Sequence, residues 1–227
     1  MSAGALWIID PSMETAETQG VEMIARLWGG DTRLFRPALC PGEGPDSGTT
    51  GERAGIVLMG SAASPHADHR WLKDLSDFLR PLILGTSPAP LFGICFGHQL
   101  MACIAGGEVG YLHVDRRKRL GIEETFHSSE SRLVPSGKAS VLVSHREIVT
   151  RPPADFVTVA CRDGVSHDAL EHPALPLFSV QYHPEAGGDF AAHAALTEAD
   201  LAEGVRPHGD ALLMAFMRVC RAFPEAR

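Results

Sequence analysis

The chain has 227 residues, of which 44% are apolar and 21% charged, a balance that is ordinary for a globular enzyme. Its formal net charge of -8 argues against a nucleic-acid partner or an anionic membrane surface. No stretch approaches the ~20 apolar residues of a membrane span, and the N-terminus lacks the basic start and long apolar core of a signal peptide.

The five cysteines are odd in number and irregularly spaced, which argues against a disulfide framework. Free cysteines favour a reducing compartment, so the sequence predicts a cytoplasmic protein. The five are Cys40, Cys95, Cys103, Cys161 and Cys220.

The first half of the chain alternates short apolar strands with helical stretches. A loop-like segment, 40–55, is dense in Gly, Pro, Ser and Thr. This β-α-β-α-β order predicts a parallel sheet covered by helices on both faces. The predicted strands are 6–9, 33–36, 55–59 and 91–94, and the predicted helices are 15–27, 71–84 and 97–105.

After Gly107 the sequence contains segments in which apolar and polar residues alternate, at 140–149, 156–161 and 177–182. These segments predict added, partly antiparallel strands. A C-terminal helix is predicted around 211–221. Neither a repeat nor a boundary between domains is visible. The sequence therefore predicts one α/β domain over residues 1–227.

A cysteine follows the strand that ends at Ile94, in the stretch Gly93-Ile94-Cys95-Phe96-Gly97. In parallel sheets, sites form outside the carboxyl ends of the strands. A helix N-terminus favours the reactive thiolate of a cysteine, and this turn resembles the nucleophile elbow of hydrolases. Cys95 is therefore the candidate nucleophile. The alternative is a buried, inert cysteine, which is our interpretation of the other four.

A nucleophilic cysteine needs a base and a group that orients the base. The best candidate is His183, where the apolar strand in "LFSVQYHPE" ends before Pro184. Glu185, two residues on, could hold the imidazole tautomer and stabilise its cation. Taken alone, the tripeptide is more typical of a solvated turn.

Together, "GICFGHQ" and "VQYHPE" resemble the class I, or triad-type, glutamine amidotransferases, and the resemblance runs from Leu6 to about Glu185. It implies a flavodoxin-like three-layer α/β sandwich. It also implies that Cys95 is the nucleophile, that His183 is the base and that Glu185 orients it. Gln99 matches a residue that helps to bind the glutamine part of the substrate. The neighbouring histidine, His98, occupies a variable position of the motif and receives no role.

The reaction needs an oxyanion hole, and one backbone donor is expected at Phe96, where the helix begins. By resemblance, the other donor comes from the loop after the third strand, where Gly60 and Ser61 match. The family usually shows a proline at the next position, where this chain has Ala62. The missing proline is a departure from the family pattern in the loop that supplies the second donor.

Family members often carry Ser-His-x-Asp, which helps to bind the amino-acid end of the substrate. This chain has Ser144, His145 and, in place of the aspartate, Glu147. The longer carboxylate still suits an ammonium group, or it indicates a pocket that accepts a γ-glutamyl compound. His145 is not expected to be the base, because it lacks the following Pro-Glu.

Other groups of residues give weaker indications of function. The histidines and aspartate of 66–69 are typical of a surface loop rather than a metal site. The basic run 116–119 predicts a solvated edge strand, with a partner-docking patch as the alternative. No nucleotide-binding motif is present in the sequence, and no cofactor is expected.

The resemblance implies hydrolysis of the glutamine side-chain amide through a γ-glutamyl thioester on Cys95, with release of ammonia. A separate synthase subunit would use that ammonia. One alternative is a free-standing γ-glutamyl peptide or amide hydrolase with the same triad. The other is a non-catalytic regulatory or binding protein that keeps the fold, against which the intact Cys95, His183 and Glu185 count.

Overall fold

The computed structural model describes residues 4–46, 48–49 and 52–223. Residues 1–3 of the N-terminus, positions 47, 50 and 51 of the loop predicted at 40–55, and residues 224–227 of the predicted domain lie outside the described residues. Within the described part, no helix is long and apolar enough to cross a membrane.

Among the described residues, nine strands form the main sheet, and five neighbouring strands of it run parallel. Each parallel strand is short and largely apolar, as expected for strands that are covered on both faces. In spatial order they are β2 (Thr32–Phe35), β1 (Ala5–Ile9), β3 (Arg53–Leu58), β4 (Leu91–Ile94) and β11 (Leu177–Val180).

The last parallel strand, β11, continues into an antiparallel arm that completes the sheet. Two further strands form a separate antiparallel pair. In spatial order the arm is β10 (Val165–Glu171), β9 (Val157–Arg162), β6 (Arg119–His127) and β7 (Gly137–His145), and the separate pair is β5 (Glu108–Tyr111) with β8 (Glu147–Arg151).

Helices cover both faces of the parallel strands. The helices α1 (Thr18–Trp28) and α6 (Arg206–Ala222) pack on Leu6 and Ile8 of β1. The helices α2 (Arg70–Ile83) and α3 (Phe96–Ile104) pack on Trp7 and Ile9, which alternate to the other face. The predicted three-layer α/β sandwich is confirmed. A short helical run follows β11, consisting of α4 (Gly188–His193), α5 (Glu198–Asp200) and a π-helical segment, Leu201–Val205.

Two predicted elements are wrong in detail. The apolar segment 140–149 is not one strand, because Arg146 separates β7 from β8 and the two strands join different sheets. The basic run 116–119 is not an edge strand, since only Arg119 enters β6, and β6 lies between β9 and β7. Of the antiparallel strands, β5, β10 and all of β6 after Arg119 were not predicted.

Two glycines allow β4 to turn directly into α3. A Cβ on Gly93 would lie 2.7 Å from the carbonyl carbon of Gly97, and a Cβ on Gly97 would collide with the carbonyl oxygen of Leu58 at the end of β3. Backbone atoms of the neighbouring strand cannot move aside as a flexible side chain can. The close approach of α3 to the sheet therefore requires glycine at both positions.

We expect Gly97→Ala to lower the free energy of unfolding by about 1–3 kcal/mol, the usual cost of overpacking a core. Gly204→Ala is the matched control, because the nearest atom to a Cβ at that position is 3.9 Å away. Urea unfolding followed by circular dichroism measures both. Equal stability of the two variants would contradict this account of the turn.

Candidate active site

Three neighbouring strands bring the central residues of the site together. Gly60 follows β3, Cys95 follows β4 and His183 follows β11, so all three lie at the carboxyl edge of adjacent parallel strands. A Cβ on Gly60 would lie 2.8 Å from His183 Cε1 and 3.6 Å from Cys95 Cβ. The backbone at Gly60 therefore packs directly against both side chains.

The backbone of Cys95 has φ = 51° and ψ = -100°, a conformation that non-glycine residues rarely adopt. Its N–H donates to the Val180 carbonyl at 2.8 Å, and its carbonyl accepts from the Gln99 N–H at 3.1 Å. The strand on one side and the helix on the other thus hold the residue in place. Such strain persists where the surroundings enforce it, typically at functional sites.

The side chain of His183 forms a buried pair with Glu185, with 2.9 Å between Nδ1 and Oε1. Burial alone would lower the pKa of His183. The Glu185 carboxylate and the nearby Cys95 thiolate outweigh burial and raise the pKa to about 10. The arrangement therefore favours the imidazolium form of His183.

Gln99 and Gln181 form a pair of buried amides behind the thiol. The Gln99 amide donates to the Glu147 carbonyl at 2.7 Å and to Gln181 Oε1 at 3.2 Å. Gln181 in turn donates to Cys95 Sγ at 3.6 Å. Gln181 was not predicted as a site residue, although a polar residue directly after an apolar buried strand was a usable signal.

The loop after β3 is anchored through Ser61. Its hydroxyl donates to the Pro11 carbonyl at 2.7 Å and accepts from the Ala63 N–H at 3.1 Å. These bonds fix the loop in the absence of the expected proline, and Ser61 borders the cavity that holds Cys95. The Phe96 side chain is buried in the core, so only its backbone, at the N-terminus of α3, faces the turn.

Ser144 and His145 lie at the end of β7, beside the thiol. The Ser144 carbonyl is 3.9 Å from Cys95 Sγ. His145 Nε2 accepts from the Arg162 guanidinium at 2.6 Å. Burial, followed by the charges of Arg162 and His183, lowers the pKa of His145 to about 3. A neutral imidazole whose Nε2 is held by Arg162 is a poor candidate for the base.

Comparison with protein-family models gives one match, "Glutamine amidotransferase class-I", over residues 45–198. This span is more than half of the chain and includes the turn at Cys95 and the end of β11.

The chain belongs to the class-I glutamine amidotransferase family.

Relatives agree with this assignment. A subunit of the glutamine-hydrolysing GMP synthase of Methanopyrus kandleri is 38% identical over 136 residues, covering 59% of this chain and 68% of the relative. The longer glutamine-hydrolysing GMP synthase of Pseudoalteromonas atlantica is 33% identical over 141 residues, but this chain spans only 25% of its length. A glutamine amidotransferase structure from Thermotoga maritima shares the fold, with a TM-score of 0.77 at 17% identity, over 97% of this chain and 99% of that one.

This glutamine amidotransferase holds its thiol in a cavity of about 280 Å³. The lining residues that were not predicted as site residues include Glu17, Tyr111, Lys118 and Arg146. Burial, together with the charges of Glu185 and Asp10, raises the pKa of Glu17 despite a 3.0 Å hydrogen bond from the Gly20 N–H. The sequence gave little signal for any of them, because each lies in a loop or at the end of an element.

Several residues singled out in the sequence serve the fold instead. Buried His98 contacts the Ser179 hydroxyl at 2.8 Å, and burial lowers its pKa to about 3. In the loop at 66–69, His66 contacts the Val109 carbonyl at 3.1 Å and Asp68 pairs with Lys73 at 2.6 Å. All five cysteines are free thiols.

Proposed function

We propose that Cys95, His183 and Glu185 carry out hydrolysis of the glutamine side-chain amide in this class-I glutamine amidotransferase. The thiolate of Cys95 attacks the amide carbon, and the imidazolium of His183 gives its proton to the departing ammonia. The γ-glutamyl thioester then reacts with water, from which His183 takes a proton as the thiolate leaves. Glu185 holds the imidazole in the required orientation.

The oxyanion formed in each step would be stabilised by the backbone N–H groups of Ser61 and Phe96. Donors of this kind are worth about 10²–10³ in rate each, judged by measured cases in other enzymes. The substrate would also contact Ser144, His145 and Gln99. Gly60, which has no side chain, leaves room for the His183 imidazole. No cofactor enters this mechanism.

One observation carries the proposal: the buried 2.9 Å pair of His183 and Glu185 borders the same cavity as a cysteine in a strained strand-to-helix turn. A purely structural cysteine has no need of a charged imidazole beside it. This argues against the non-catalytic alternative. The γ-glutamyl hydrolase alternative shares the triad and differs only in the leaving group.

We further propose that residues 1–227 act as one glutaminase domain that supplies ammonia to a synthase on a separate chain. The relative from Methanopyrus kandleri is named as one subunit of a glutamine-hydrolysing GMP synthase, which supports a partner of this kind. A cytoplasmic location is part of the same proposal, and the five free cysteines support it.

The isolated chain should hydrolyse glutamine slowly, well below the ~10 s⁻¹ of a median enzyme, because a glutaminase that serves a synthase gains nothing from idle turnover. Ammonia release from glutamine, compared with amine release from γ-glutamyl peptides, tests this. Much faster turnover of the peptides would favour the hydrolase alternative. Turnover of neither, with Cys95 still reactive to alkylation, would indicate an obligate partner.

A further inference from the structure

Two basic side chains border the cavity without an assigned role. Lys118 and Arg146 both line it, together with Cys95. In the part of the chain that the structure describes, neither side chain forms an ion pair or a hydrogen bond. By contrast Arg119, the next residue along the chain from Lys118, pairs with Glu123 at 2.5 Å. Among the described residues, the cavity therefore holds two cations that have no carboxylate as a partner.

The strand register brings these two cations together. Arg119 and His145 are paired with each other where β6 begins and β7 ends, and Lys118 and Arg146 are their immediate neighbours just outside the two strands. The Leu112 N–H donates to the Arg146 carbonyl at 2.8 Å from the other side. The charge of Arg146 acts on Lys118, and two like charges held close together repel each other. An anion bound between them would relieve that repulsion.

Both the nucleophile and a carboxylate lie within reach of this pair. Burial and the charge of Arg146 lower the pKa of Lys118, while the Cys95 thiolate acts in the opposite direction, so the ammonium lies within the electrostatic field of the sulfur. Glu147 follows Arg146 directly and accepts a hydrogen bond from Ser64 at 3.0 Å. The lining of the cavity thus includes two cations and a carboxylate, charges that match those of an amino-acid zwitterion.

We propose that Lys118 and Arg146 form a subsite for the α-carboxylate of glutamine, and so require a free carboxylate in the substrate. The inference rests on the proposed glutaminase function, because it names the amino-acid end of that substrate. A guanidinium binds a carboxylate through two parallel hydrogen bonds, and an ammonium adds a compact charge. The two side chains are specificity residues and take no part in proton transfer.

Alkylation of Cys95 by two reagents of different charge tests the subsite without turnover. Iodoacetate carries a carboxylate and iodoacetamide is neutral, yet both react with the thiolate, so the ratio of their rates reports the preference of the site for an anionic reagent. We expect Lys118→Met and Arg146→Met each to lower the iodoacetate-to-iodoacetamide ratio by about tenfold, the scale of one hydrogen bond to a charged group. Arg117→Met should leave the ratio unchanged, because that side chain pairs with Asp115 outside the cavity. Mass spectrometry of the Cys95 peptide gives both rates.

Steady-state kinetics provide the second readout. Wild type should prefer glutamine to glutamine α-methylamide, in which a neutral amide replaces the carboxylate, and the preference should shrink in both variants mainly through KM. The ammonia released from the side-chain amide is measured separately from any methylamine released from the α-methylamide. Circular dichroism confirms that each variant is folded.

The outcomes separate the subsite from the proposed function. A lowered alkylation ratio in a protein that hydrolyses no glutamine would support the carboxylate subsite while the proposed function failed. An unchanged ratio in both variants, in a protein that does hydrolyse glutamine, would overturn the subsite alone. Equal slowing of both reagents would also overturn it, since the cations would then act on thiol ionisation instead of anion binding.

Discussion

Replacement of Cys95 with alanine will abolish glutamine hydrolysis, with a loss of at least about 10⁴-fold, as expected when the nucleophile of a catalytic triad is removed. The fold should survive, because alanine is smaller than cysteine and the backbone turn is held by Val180 and Gln99. Ammonia release measures activity, and thermal unfolding measures the fold. Cys161→Ala is the matched control, since that thiol is exposed and lies outside the cavity.

Selective alkylation provides an independent check on the same residue. Burial raises the pKa of Cys103 to about 11 and that of Cys220 to about 12, so both should react slowly near neutral pH. Brief treatment with limiting iodoacetamide should therefore label Cys95 far ahead of these two, despite its own burial. Equal labelling of Cys95 and Cys220 would count against an activated thiol.

Removal of the base should cost more than removal of the group that orients it. We expect His183→Ala to lose about 10²–10⁴-fold in kcat, the range of general acid–base catalysis, or more. Glu185→Gln should retain measurable activity, because the imidazole remains beside Cys95 and loses only the carboxylate on Nδ1. Both values come from ammonia release at saturating glutamine.

His145→Ala provides the decisive comparison for this assignment. The structure commits His145 Nε2 to Arg162, so its loss should affect the pocket less than the loss of His183. If a folded His145→Ala protein were as inactive as His183→Ala, the base would have to be reassigned.

The sequence predicted the elements whose signals are local. The apolar strands that end at Ile94 and Val180 are short and continuous, and a polar or turn residue follows each. Such strands can lie only inside a sheet that is covered on both faces. Because Cys95 and His183 come just after these two strands, they could be predicted at the carboxyl edge of the sheet.

The antiparallel arm could not be predicted in the same way, because its signals depend on distant partners. The segment 140–149 looks like one strand until the pairing of β7 with β6 and of β8 with β5 divides it at Arg146. Lys118, the residue before β6, lines the cavity, although its basic run is typical of a solvent-exposed edge. Side-chain partners such as Arg162 for His145 depend on this tertiary pairing and have no local pattern.

The position of β11 has a consequence for the order in which the protein becomes active. This strand is the last to be synthesised, yet it inserts between β4 and β10, both of which precede it in the chain. Contacts between residues so far apart in sequence form slowly, because a long loop must close first. During synthesis the cysteine turn therefore emerges from the ribosome long before its histidine. The nascent chain stays without a paired base until β11 closes the sheet, so the reactive ion pair arises only in a molecule that is already folded.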